Sequence, residues 1–322
     1  MDFSPSVYEH AAHLINRDPW DVSRDGNLLF QGNAEAYRLY HHRPVVIGID
    51  IYNLEAEAYG AAVVKPQGYG IPVIAQHPCA GCDEILQLEP FDPRSHGRVS
   101  MVIQAGQRMA REFPDADVRI PVSGPFSIAT NLIGFENLLC ELMTEPALVS
   151  RTLQHLVTGQ ANFCREVVRH GLDIAFFESA AAPPLLSPRD FRQIELPALK
   201  KVLSQAAHIV NHPVPCVIGG DTVPILEAIM ETDTGYVCCP AETDQPRFME
   251  IMLDYPDVMV RVNMDPRPIT SGNLHAIRQE VDRVMALART RTQSCIGTGC
   301  LPLETDPQLV LKTREYILSK NQ

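Results

Sequence analysis

The chain has 322 residues, a formal net charge of −12 and a pI near 5.4. Its Lys and Arg residues form no cluster and its aromatics do not interleave with basic residues, which argues against a nucleic-acid partner. No apolar run approaches the roughly 18–20 residues that span a bilayer, and Met1-Asp2-Phe3-Ser4-Pro5 has neither the basic region nor the apolar core of a secretory signal. Nine cysteines, an odd count without a signal, argue against a disulfide framework and for a reducing cytoplasm.

In chain order, residues 1–43 read as a helical extension. The first strong strand is expected at 45–50, a continuous apolar run of the kind buried on both faces, followed by a short helix that closes at Gly60. Residues 61–83 read as a hairpin or extended excursion, with 62–64 and 72–75 flanking a Gly-Tyr-Gly turn, ending in His77-Pro78-Cys79-Ala80-Gly81-Cys82. From there strands and helices alternate. Strands are expected at 118–122, 174–178, 214–219, 235–239, 258–263 and 294–299. Helices are expected around 96–112, 126–170, 224–231, 245–254, 273–289 and 306–319, with another opened by Ser187-Pro188.

Strands separated by helices of ten or more residues mean parallel βαβ units. The chain has no strand followed by a Gly-rich dinucleotide fingerprint, so a (β/α)8 TIM-type barrel is favoured over a doubly wound sheet. The expected organisation is an N-terminal helical extension over 1–43 and a single catalytic barrel domain over 44–322.

In such a barrel the chemistry gathers at the strands' C-terminal tips. Asp50, Glu178, Asp221, Cys239 and Asn263 all end or follow apolar runs, and Cys300 closes the run Ser294-Cys295-Ile296-Gly297-Thr298-Gly299. An intracellular cysteine at such a tip is a candidate metal ligand. The Glu178 carboxylate leaves a very apolar strand, where burial is costly unless the group is paired, protonated or metal-bound. His77-x-Cys79-x-x-Cys82 has metal-ligand spacing but lacks the second pair of a structural zinc site, and His77 is its best candidate. Glu55 and Glu57, two apart on a helix, do not share a face, so one at most looks into the barrel mouth. Cys238 and Cys239 alternate likewise.

Several segments together resemble the uroporphyrinogen decarboxylase superfamily over about residues 40–320. They are Gly48-Ile49-Asp50-Ile51-Tyr52-Asn53-Leu54-Glu55-Ala56-Glu57-Ala58-Tyr59-Gly60, Gly124-Pro125-Phe126-Ser127, Leu186-Ser187-Pro188-Arg189-Asp190-Phe191, Gly220-Asp221-Thr222-Val223-Pro224-Ile225-Leu226 and Gly299-Cys300-Leu301-Pro302. True uroporphyrinogen decarboxylases carry an Arg-Gln-Ala-Gly-Arg-Tyr type stretch that holds the substrate's carboxylates. This chain has only Gln104-Ala105-Gly106-Gln107-Arg108, in a later helix.

The superfamily's other branch, the corrinoid-linked methyltransferases, fits better. Members that methylate coenzyme M carry a His-x-Cys zinc pair where this chain has Val217 and Gly219; only the third ligand, at Cys300, is matched. The resemblance therefore implies an O-demethylase-like component. Such a protein moves a methyl group from a methoxylated aromatic to the cob(I)amide of a separate corrinoid protein, with zinc as Lewis acid on the ether oxygen. The expected metal ligands are Glu57, His77 and Cys300, with Glu55 and Glu178 as alternates. The expected catalytic residues are Glu57, His77 and Glu178, and the expected substrate contacts are Asp50, Tyr52, Asp221 and Asn263. The corrinoid belongs to a partner, since the chain has no Asp-x-His-x-x-Gly segment.

Overall fold

The computed structural model describes residues 1–68 and 70–320; Tyr69, in the expected Gly-Tyr-Gly turn, lies outside the described residues. In chain order the strands are β1 (Phe3–Ser6), β2 (Val45–Val46), β3 (Ala62–Val64), β4 (Val73–Gln76), β5 (Val118–Ser123), β6 (Asp173–Phe177), β7 (Pro215–Val217), β8 (Tyr236–Cys239), β9 (Met259–Met264) and β10 (Ser294–Cys300). β3 and β4 form the expected antiparallel hairpin, apart from the main sheet. The other eight strands make one sheet in the order β1-β10-β9-β8-β7-β6-β5-β2, and every neighbouring pair is parallel. Residues just beyond both end strands, Tyr8 after β1 and Ile49 after β2, line one cavity, so the sheet curls into a TIM-like barrel.

Strand alternation sorts the side chains into two cores. On β6, Ile174 and Phe176 join the large core between sheet and helices, whereas Ala175 and Phe177 belong to a small inner cluster with Tyr8, Val46, Tyr52 and Val217. The outer helices lie close to their expected places, among them Val99–Glu112, Pro125–Ile133, Pro146–Arg169, Leu274–Ala288 and Pro307–Ser319. Among the described residues no helix is long and apolar enough to cross a membrane.

The N-terminal segment differs from expectation. It contains the helices His10–Leu14, Pro19–Arg24 and Gly26–Tyr40, but it begins with a strand of the main sheet. Phe3 pairs with Ile296 and Ser4 with Gly297 on β10. Residues 1–43 are thus not a purely helical extension. A four-residue strand with a central proline carries no apolar alternation, and Pro5 fits because β1 ends the strand order, where one ladder edge is free. Its far end is fastened by side chains: Ser6 donates its N–H to Thr298 Oγ1 and its hydroxyl to the Thr298 carbonyl, each at 3.2 Å.

Candidate functional site

The C-terminal tips of the strands enclose a cavity of about 470 Å³, within the size range of small-molecule sites. Three aromatic rings form one wall. Tyr8 and Tyr52 each meet Phe177 edge to face, with centroids 6.3 Å apart in both pairs. Tyr52 donates its hydroxyl to Ser179 Oγ at 2.8 Å, and the Gly219 N–H donates to the same oxygen at 3.0 Å. With both lone pairs taken, the Ser179 hydrogen remains for a ligand. Ile71 and Pro72, from the approach to β4, close one side of the rim, anchored by Asn53 Nδ2 donating to the Pro72 carbonyl at 2.8 Å.

The cavity's only Lys, Arg or His side chain among the described residues is Arg261, on β9. Val260, Val262 and Met264 pack outward into the large core, so Arg261 and Asn263 share the inner face. Arg261 is 7% exposed, yet no carboxylate pairs with it among the described residues. Its one recorded contact is Nη2 to Cys238 Sγ at 3.8 Å, and its Nε has no partner. Asn263 Oδ1 and the Tyr236 hydroxyl, also buried, lack partners too. Gly297 makes this crowding feasible: a Cβ there would stand 2.5 Å from Arg261 Cδ.

The expected substrate contacts divide. Asp50, Tyr52 and Asn263 line the cavity, while Asp221 does not; its Oδ1 accepts from the Thr243 hydroxyl at 2.8 Å beside the lining glycines Gly219 and Gly220. Asp50 is held from behind by Arg98, whose Nη1 donates to Oδ1 at 2.6 Å and whose Nη2 pairs with Oδ2. The same guanidinium donates through Nε to Glu57 Oε2 at 2.7 Å, and Glu57 also pairs with Arg24. One buried arginine thus ties the rim of the barrel to the helix Pro19–Arg24.

The expected metal ligands are not brought together. Glu57 is engaged by two arginines, His77, directly after β4, is exposed with Nδ1 2.8 Å from the Asn131 carbonyl, and only Cys300 lines the cavity. Among the described residues no three His, Cys, Asp or Glu side chains converge as a metal site requires. These residues therefore do not fit the expected zinc. Val217 and Gly219 do line the cavity, and Cys216 packs on the outer side of β7, as strand alternation requires.

The remaining carboxylates lie in the wall behind the cavity. Glu55 accepts from the Ser123 N–H at 2.7 Å and its hydroxyl at 2.9 Å, and burial pushes its pKa up to about 7. Glu178 takes the Ser127 N–H at 2.8 Å and its hydroxyl at 3.1 Å at the start of the helix Pro125–Ile133. Its other oxygen has no partner and fills the space beside Gly124, and burial pushes its pKa up to about 8. Glu195 has neither oxygen bonded and is raised further, by burial and by Glu178. Glu57, His77 and Glu178 thus all lie outside the cavity lining, which instead presents Arg261, Tyr8 and Ser179. Arg261 had a signal in the sequence, as a charge in an apolar strand two residues before Asn263.

Fold and site together define a TIM-like barrel with a small-molecule cavity at the strands' C-terminal ends. The family model "Uroporphyrinogen decarboxylase (URO-D)" matches residues 5–316, and the chain belongs to this family. Among solved structures, a methyltransferase from Methanosarcina mazei is similar in fold, with a TM-score of 0.83 at 17% identity, over 99% of this chain and 94% of that one. A comparison with curated protein sequences gave no significant match.

Proposed function

We propose that the protein is a methyltransferase that takes a methyl group from a small methoxylated aromatic and delivers it to the cob(I)amide of a separate corrinoid protein. The observation that carries this reading is the cavity: about 470 Å³, with one wall of Tyr8, Tyr52 and Phe177, the Arg261 and Asn263 side chains at its floor, Ser179 beside the rings, and the carboxylates Glu9, Asp50 and Glu242 elsewhere in its lining. A benzene ring fits such walls, and its ether oxygen can take the free Ser179 hydrogen as negative charge develops on departure of the methyl group. The methyltransferase of similar fold within this family supports methyl transfer as the reaction class. Exposed apolar side chains on the hairpin, Val64, Ile71 and Val73, lie beside the rim, where the corrinoid protein would dock. No step is assigned to zinc, because its three expected ligands stand apart.

Decarboxylation of a porphyrinogen is the second reading, and the lining argues against it. A polycarboxylate needs several cations, and Arg261 is the single one among the described lining residues. The test is incubation of the protein with reduced cobalamin and a panel of methoxylated aromatics. Matching amounts of methylated cobalamin and free phenol support the proposal. No transfer from any donor, to free cobalamin or to corrinoid protein, overturns it.

A further inference from the structure

Arg261 is a buried cation in want of an anion. A guanidinium drawn out of water is costly unless its donors are matched, and here Nε is unmatched while Nη2 meets only a thiol. The surrounding groups do not neutralise it. Burial raises the Cys238 thiol, brings Cys295 to about 11, and holds the Tyr8 and Tyr236 hydroxyls well above their ordinary range. All four stay protonated at neutral pH, and of the carboxylates that share the cavity lining, Glu9, Asp50 and Glu242, none pairs with Arg261 among the described residues, Asp50 being taken by Arg98. The guanidinium is also placed at the cavity floor by construction. Arg261 and Asn263 share the inner face of β9, and Gly297 on β10 leaves the gap that the arginine stem fills.

We infer that the cavity floor is a receptor for one carboxylate, held by the Arg261 guanidinium, and that the ring bound between Tyr8, Tyr52 and Phe177 carries that carboxylate. The planar, two-oxygen anion matches the guanidinium fork, which a hydroxyl or an ether does not. The ring would then be fixed at two ends, by the salt bridge at the floor and by Ser179 higher in the cavity. A neutral methoxylated ring lacks the floor contact and leaves the guanidinium unpaired. The substrate class is thus narrowed from methoxylated aromatics to methoxylated aromatic carboxylates. This narrowing rests on the proposed function, whereas the anion site does not.

The test is calorimetric titration of the full chain with 3-methoxybenzoate and with its neutral methyl ester, which have the same ring and ether. A charge-assisted pair at a desolvated site predicts about ten- to hundredfold tighter binding of the carboxylate. Arg261→Met should erase that preference and Arg261→Lys should restore part of it, with circular dichroism confirming that both variants fold. If the variants do not fold, the wild-type comparison decides by itself. Equal affinities for acid and ester, no binding of either, or a preference that survives in a folded Arg261→Met protein would overturn the inference. Binding needs no corrinoid, so the two readings fail separately. Carboxylate preference without methyl transfer leaves the anion site standing and removes the proposed function. Transfer from a neutral ether without carboxylate preference does the reverse.

Discussion

Gly297 of β10 stands opposite Asn263 of β9, and the side chain of Arg261, two residues back on β9, lies across it: a Cβ on Gly297 would lie 2.5 Å from Arg261 Cδ and 2.8 Å from its Cγ. Neither is the far end of a flexible side chain, so the stem itself would have to move. Asn263 Oδ1, also 2.8 Å from that Cβ, would move with it. The glycine serves close approach here, not an unusual backbone angle.

Gly297→Ala should therefore behave as an overpacking variant located in the site. The expected loss is about 1–3 kcal/mol of stability, with a KM for the donor raised about tenfold or more. Urea denaturation and steady-state kinetics measure the two effects. An unchanged KM in a destabilised protein would mean that Arg261 does not hold the substrate.

Arg98 joins Asp50 and Glu57, and its side chain is 8% exposed. Arg98→Met strands the Asp50 carboxylate, itself 1% exposed, without its cation, and breaking a buried pair from one side costs about 3–5 kcal/mol. Glu57→Gln should cost clearly less, since Glu57 is more exposed and a glutamine can still accept from Arg98. Equal costs in a denaturant series would contradict this ranking.

Glu55 and Glu178 hold their protons to about pH 7 and 8, because burial disfavours their charged forms. The unfolded chain releases the same protons near the ordinary carboxylate value of about 4.3. Between those limits the folded state binds more protons, so this contribution to stability falls as pH rises from about 4.3 to about 8 and then levels off. Glu178→Gln, which mimics the protonated form, should flatten that decline by on the order of a few kcal/mol. Melting temperatures at pH 5 and pH 9 would show it; an unchanged slope would mean Glu178 is ionised throughout.

His77→Ala should leave methyl transfer within about twofold of wild type, since the imidazole lies outside the cavity against Asn131 and Gly134. A loss of tenfold or more in a folded protein, with lost zinc, would return His77 to the site as a metal ligand.

Much of the architecture could be read from residue order alone. Long apolar runs ending in polar tips located seven of the eight barrel strands, because strands covered on both faces must be apolar throughout. β1 escaped because Phe3-Ser4-Pro5-Ser6 has neither length nor alternation, and its place is fixed by β10, almost three hundred residues away. The site was legible where it follows strand tips directly, as at Asp50, Tyr52, Asn263 and Cys300. Glu57, His77 and Glu178, expected in the site, lie outside the cavity lining for a different reason. Which way a residue just past a tip points depends on partners distant in sequence, here Arg98 for Glu57 and Ser127 for Glu178. Arg261 shows in the sequence as a charge in an apolar strand, but its want of a partner is visible only in three dimensions.

The most direct measurement is the fate of a carbon-13 label placed on the methoxy group of 3-methoxybenzoate, incubated with the protein and reduced cobalamin. The account predicts the label on cobalt, one equivalent of 3-hydroxybenzoate, and an intact carboxylate. Label remaining on the ether while carbon dioxide is released would contradict it, and would make the protein a decarboxylase.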